Sequence, residues 1–353
     1  MRYLIVQDWE NTHGNHAGMV HMCKLLCDNY PEKYRMFVKV SPKPARIIKN
    51  NYFSRALGYL NRIIDRRIFV KEYLELCQPL FKSLVEGDEI FLLEYHLPIT
   101  SQLELAKYIK KKYHFVKLFG LSHLTPIAFK QKKSQIDEHD IIKWSNILDK
   151  QLTLGSSLSK YFKSIGMLDS HISTGFHYVD NEFYSAGIRA VNTPLTIISM
   201  GAQMRNYDLL SKVVHACTNV KWIICAGNKS VDDLFLDADN VTLHGFLSEE
   251  ELKKQMELSD VSINIMDDTV GSNVITTSLS MGLAMIVSNV GSIHDYCDSS
   301  NAIFCENTLD SFVKAVNILS SDPQLVFDMK KSSYNKANRY TIKHIDRWFD
   351  SIC

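Results

Sequence analysis

Asp267-Asp268-Thr269-Val270-Gly271-Ser272-Asn273-Val274-Ile275-Thr276-Thr277-Ser278-Leu279-Ser280-Met281-Gly282-Leu283-Ala284-Met285-Ile286-Val287-Ser288 is the stretch from which the rest of the chain is read. Val261-Ser262-Ile263-Asn264-Ile265-Met266 leads into it as a strand. A small polar loop with Gly271 follows, then a helix of small residues that begins near Ser272 and stops at Gly282, then a buried strand over 284–288. Strand, loop, helix, glycine stop and strand form the repeating unit of a parallel α/β sheet. A helix that starts there presents unbonded backbone N–H groups beyond the carboxyl edge of the sheet, a place suited to an anion such as a diphosphate. Gly271 lets the backbone approach such a ligand closely, and Ser272 and Asn273 add donors.

The same alternation extends in both directions. In the second half, strands are predicted over 195–200, 221–226, 241–244, 261–266, 284–288 and 302–305, with helices over 207–217, 249–258, 272–281, 308–319, 323–340 and 342–351. The first half predicts strands over 3–7, 35–40, 89–95 and 115–121, helices near 18–30, 52–81, 101–112 and 140–146, and short pieces at 151–154 and 171–173 around a helix near 158–165. Residues 180–193 lose the periodicity and hold Asn181, Gly187 and Asn192, so the linker is expected there. The expectation is an α/β chain of two Rossmann-like, doubly wound domains, 1–180 and 181–340, followed by a terminal helix over 341–353 that crosses back to the first domain.

Composition narrows the function. With 353 residues, 46% hydrophobic and 22% charged, the chain is an ordinary folded protein, and no stretch of 18 apolar residues suggests a membrane span. The apolar run at the N-terminus is too short for a secretory signal, so a cytoplasmic location is expected. Eight cysteines contain no C-x-x-C pair, which argues against a zinc ribbon or a disulfide framework. Neither half offers G-x-G-x-x-G after its first strand: the first has Gly14-Asn15-His16-Ala17-Gly18 and the second a lone Gly201, so a dinucleotide cofactor is not expected. Gly14 and Gly18 can still let a loop meet a ligand ahead of the first helix. No D-x-D follows a strand, and no metal is expected. Nucleic acid is not expected either, since no zinc-finger, RRM or P-loop spacing occurs.

The net charge of +1 conceals an asymmetry. Residues 1–180 hold 26 Lys and Arg against 18 Asp and Glu, and residues 181–353 hold 14 against 21, so the halves carry +8 and −7. Seven cations and one acid fall within 43–67, interleaved with aromatic and aliphatic residues. Such a stretch suits docking on an anionic membrane surface.

Five segments in order, 14–26, 175–184, 197–205, 240–246 and 271–288, followed by 291–296, resemble the GT-B glycosyltransferases, specifically the nucleotide-sugar-dependent retaining family 4 (glycosyl transferases group 1). The likeness covers nearly the whole chain. It implies two Rossmann-like domains facing across a cleft, with the nucleotide diphosphate sugar on the second and the acceptor on the first. It also implies a metal-independent, retaining hexosyl transfer to a glycan acceptor, lipid-linked, in surface polysaccharide synthesis of O-antigen or capsule type. Under this resemblance Arg205 neutralises the departing diphosphate beside Gly201, and His123, just after the strand over 115–121, serves the sugar or acceptor as a catalytic histidine. His96, at the same topological place after the strand over 89–95, and His177, near the domain crossing, are binding candidates, as is Phe246 in Asn240-Val241-Thr242-Leu243-His244-Gly245-Phe246. The family's paired glutamates fall on Thr269 and Thr277, so Thr277 takes the second acid's place and Asp268, or its neighbour Asp267, is the carboxylate left to act. The missing acids leave a second reading open, a catalytically degenerate GT-B protein that binds nucleotide sugar or glycan within a complex.

Overall fold

The computed structural model describes residues 1–9, 14–40, 68, 70–97, 100–131 and 136–352. The basic stretch over 43–67 and most of the helix expected over 52–81 lie outside the described residues. From the latter, residues 70–76 and Gln78–Ser83 are helical.

Two compact units are present: Met1–Leu154 with Ser159–Gly175 and Ile352–Cys353, and Gly155–Leu158 with Phe176–Ser351. The change-over falls at Gly175, a few residues ahead of the expected linker, and the terminal helix Ile342–Ile352 belongs to the second unit up to Ser351.

In the first unit, β1 (Arg2–Asp8), β2 (Tyr34–Val40), β3 (Glu89–Leu92), β4 (Lys117–Ser122), β5 (Lys150–Thr153) and β6 (Ile172–Thr174) form one sheet in the order β2-β1-β3-β4-β5-β6. Every neighbouring pair is parallel. All seven residues of β1 are buried, as a central strand covered on both faces requires. The helix Met19–Asn29 turns Met22, Cys23 and Leu26 inward at helical spacing. One face of the sheet packs Ile5, Ile90, Leu92, Leu105 and Ile109 into a single apolar cluster.

The second unit repeats the plan with β7 (Thr196–Met200), β8 (Lys221–Cys225), β9 (Val241–His244), β10 (Val261–Asn264), β11 (Ala284–Ser288) and β12 (Ala302–Cys305), in the order β12-β11-β10-β7-β8-β9 and parallel throughout. Its core joins Ile197, Trp222, Ile224, Ile263 and Ile286 with Phe312 and Val316 from the helix Leu309–Ser321. At the amino edge of this sheet Asp260, fully buried, pairs with Lys330 at 3.0 Å and also accepts bonds from the backbone N–H groups of Asn192 and Thr196. A buried ion pair holds only when its remaining lone pairs find donors, and here they do.

Every predicted strand is present, several with shifted ends. The strand expected over 89–95 stops at Leu92, because the chain turns through Leu93–Leu97 with Leu97 N–H bonded to the Glu94 carbonyl. The helix expected over 323–340 runs Pro323–Ala337 and tightens into a 3₁₀ turn, Asn338–Tyr340. The seven described cysteines are free thiols. No described helix is long and apolar enough to cross a membrane.

Candidate functional site

In each sheet the strand order reverses once, between β1 and β3 and between β7 and β10. Loops leaving the carboxyl ends of such a strand pair diverge and leave a crevice where ligands bind in open α/β sheets. In the second unit, the loops after β7 and β10 are joined there by a short antiparallel bridge between Arg205 and Met266. Asn206 N–H bonds to the Ile265 carbonyl at 3.1 Å and Asp267 N–H to the Met204 carbonyl at 3.0 Å. The tight turn into this bridge puts Met204 in the left-handed region, φ 54°, a conformation that costs a non-glycine residue energy and clusters at functional sites.

Arg205 is fixed by this turn. Its Nε donates to the Met200 carbonyl at 2.9 Å, and its Nη1 is buried with no hydrogen-bond partner. Burial lowers its pKa to about 10, with the nearby Tyr207 opposing the shift, so the guanidinium remains a cation at neutral pH. Gly201, φ 85°, lies against it: a Cβ there would stand 3.8 Å from the guanidinium and 3.4 Å from Val274. Gly201 therefore sits between the Arg205 guanidinium and the first turn of the helix Asn273–Ser280.

That first turn is partly spent. Ser272 is the N-cap, and its hydroxyl accepts from Val274 N–H at 3.1 Å. The N–H groups of Ile275 and Thr276 bond to the Ser272 carbonyl, while the Asn273 Oδ1 is buried without a partner. Thr277 is buried and donates its hydroxyl to the carbonyls of Asn273 and Val274, so it faces its own helix. Gly271, φ 103°, has a reason the sequence did not reveal. A Cβ on it would fall 2.1 Å from the Tyr296 hydroxyl and 2.5 Å from its ring, so the glycine makes room for the tyrosine.

A cavity of about 540 Å³ opens beside this bridge, lined by Arg205, Asn206, Lys229, Asp232 and Asp267 among others. Lys229, from the loop after β8, holds its ammonium 4.7 Å over the Tyr207 ring, and the Tyr207 hydroxyl donates to the Gly201 carbonyl at 2.6 Å. Asp267 reaches this cavity; Asp268, the carboxylate expected to act, is buried and accepts from Thr269 N–H at 2.8 Å. Lys229 and Asn206 escaped the sequence reading. Each comes from a loop without a local motif, and only the strand order brings them together.

Residues 195–322 match the family described as glycosyl transferases group 1. Over the whole chain, the structure is similar to the apo form of the lipopolysaccharide outer core galactosyltransferase WaaB, with TM-score 0.70 and 13% identity, covering 100% of both chains. This is the GT-B fold. Sucrose-phosphate synthase of Thermosynechococcus elongatus shares it at TM-score 0.72 and 9% identity, covering 100% of this chain and 99% of that one. Anabaena HepE, solved in complex with UDP, does so at 0.69 and 12%, covering 99% of each. A comparison with curated proteins finds no match.

Within the first unit of this GT-B chain, His123 follows β4 at the carboxyl edge. Its Nε2 donates to the Leu93 carbonyl at 2.6 Å and lies 3.8 Å from Glu94 Oε2. His96 is a different case and corrects the expectation that it binds substrate. It is 1% exposed, bonded through Nδ1 to the Ser122 hydroxyl, and ringed by Tyr95, Phe129, Trp144 and Phe162. Burial lowers its pKa to about 3, with a backbone hydrogen bond to Ile141 opposing, so it is a neutral core side chain. Gly14 has φ 75°, whereas Gly18, with φ −80°, is an ordinary N-cap residue. In the second unit, His177 is buried and its N–H donates to the Tyr296 hydroxyl at 2.9 Å. Phe246 stands 62% exposed just beyond β9.

Proposed function

We propose that this protein transfers a hexosyl unit from a nucleotide diphosphate sugar to a glycan acceptor, lipid-linked, in the synthesis of a surface polysaccharide of the O-antigen or capsule type. The observation that carries the reading is Arg205: a partly buried cation with an unpartnered nitrogen, held by a strained turn in the switch-point crevice of the second sheet. A leaving diphosphate gains charge as the glycosidic bond breaks, so a cation fixed in advance stabilises the transition state more than the ground state. Lys229 adds a second positive charge on the wall of the same cavity. In this reading no metal or organic cofactor takes part, since Arg205, Lys229 and the helix N-terminus at Ser272 supply the compensation. Retention at the anomeric carbon is proposed on family grounds alone. The group 1 match over the second unit and the UDP complex of the similar HepE support the choice of donor class.

One observation favours a second reading, a degenerate protein that binds without turnover: Thr269 and Thr277 stand where the family has acids, and both hydroxyls bond to nearby backbone. The test is calorimetry with UDP and a panel of UDP- and GDP-sugars, with and without EDTA, followed by NMR of the product formed on a lipid-linked acceptor. Binding and transfer unaffected by EDTA, with retained anomeric configuration, is the expected result. Binding with no turnover supports the degenerate reading, and an inverted product removes the claim of retention.

A further inference from the structure

At the switch point of the first sheet, β1 ends beside β3, and Trp9 and Glu94 lie one and two residues beyond their respective ends. The chain turns immediately after β3, and this turn is held at both sides of Glu94: its N–H bonds to Gln102 Oε1 at 2.8 Å, and its carbonyl accepts from the Thr100 hydroxyl at 3.1 Å. These bonds hold the Glu94 main chain, and the residue is 5% exposed. A carboxylate has two oxygens and about four lone-pair sites, and when buried it normally fills them. Glu94 does not. Its Oε1 receives one long bond, 3.4 Å, from the Trp9 indole N–H, and its Oε2 has no hydrogen bond among the described residues, the His123 Nε2 lying 3.8 Å away. Burial raises its pKa, with His123 and the Trp9 bond opposing the shift.

An acceptor left open to solvent beside an indole and an imidazole suits a ligand that brings hydroxyl donors and an apolar face. A sugar ring has both, since its hydroxyls bond to a carboxylate while its C–H face lies on an aromatic ring. We propose that Glu94 and Trp9 form a carbohydrate subsite in which Glu94 accepts hydrogen bonds from hydroxyls of the acceptor glycan and selects among acceptors. That the sugar is an acceptor rests on the transferase reading; that the subsite takes a sugar does not.

The test follows the Trp9 indole N–H resonance in the full chain, assigned by its loss in Trp9→Phe, during titration with the methyl glycosides of glucose, galactose and N-acetylglucosamine up to about 50 mM, the weak end of single-sugar binding. At least one glycoside is expected to move the resonance. Glu94→Gln is expected to weaken that glycoside about tenfold or more, the value of one hydrogen bond to a charged group, while UDP binds as before. Glu94→Asp, which keeps the charge but withdraws it by one methylene, is expected to weaken binding as well and serves if Glu94→Gln does not fold. The proposal is overturned if no glycoside moves the resonance in the wild type, or if Glu94→Gln binds the responsive glycoside as tightly as the wild type does. A glycoside response without UDP binding would remove the transferase reading and leave the subsite standing; UDP binding without a glycoside response would do the reverse.

Discussion

Arg205, Gly271, His123 and His96 show how far one residue's role depends on its neighbours. Arg205→Ala removes a cation that no other side chain in that turn replaces, and kcat/KM is expected to fall about 10²-fold or more, as when one preorganised donor is lost from a transition-state site. Steady-state kinetics on a folded variant with an unchanged melting curve checks this. His123→Ala is expected to reduce transfer and spare nucleotide affinity, read by calorimetry with UDP beside the transfer assay; equal losses in both would place the nucleotide on the first unit. Gly271→Ala tests packing instead. With Tyr296 in the way and a left-handed backbone, it should lose about 2 kcal/mol or more of stability in a denaturant titration, and a variant of wild-type stability would contradict the contact. His96 gives a pH signature. Its folded pKa of about 3 lies below the unfolded value of about 6.5, so its contribution is fully present above pH 6.5 and is lost as pH falls toward 3. About 2 kcal/mol should be gone by pH 5. Comparing unfolding free energies at pH 7 and pH 5 in wild type and His96→Gln tests it, because the slope due to this group must vanish in the variant.

At the scale of elements, the sequence was read well where periodicity governs. The apolar runs of β7, β8, β10 and β11 and the small-residue helix between the last two are visible in the chain because burial on both faces demands them. Much of the site was not, for two physical reasons. Lys229 and Asn206 come to line one cavity with Asp267 through strand order, and pairing between strands far apart in sequence leaves no local trace. At Gly271 the sequence shows a missing side chain but not the Tyr296 ring that a Cβ there would meet. The same holds for Lys330, an unremarkable residue on a helix that turns out to be fully buried against Asp260. Lys330→Met strands that carboxylate and is expected to cost about 3–5 kcal/mol, measured by chemical denaturation. A loss below about 1 kcal/mol would mean that the bonds from Asn192 and Thr196 suffice for the aspartate.

Across the whole molecule, net charge divides as +8 over residues 1–180 and −7 over residues 181–353. Sedimentation with anionic liposomes is expected to bring the protein down at low salt and release it as salt rises, because screening acts within about 8 Å at physiological ionic strength. Reversing Arg62, Arg66 and Arg67 together is expected to abolish this binding and leave UDP affinity intact. Absence of salt-sensitive binding would leave the basic half to an anionic acceptor or a protein partner instead. The bridge between Arg205 and Met266 has its own consequence in time. Because Asn206 N–H and Asp267 N–H are each bonded across it, neither can exchange with deuterium unless the two loops part, so both amides should exchange through one shared opening event. A nucleotide that grips only Arg205 would then slow the Asp267 amide, on a loop it need never touch, by the same factor as Asn206.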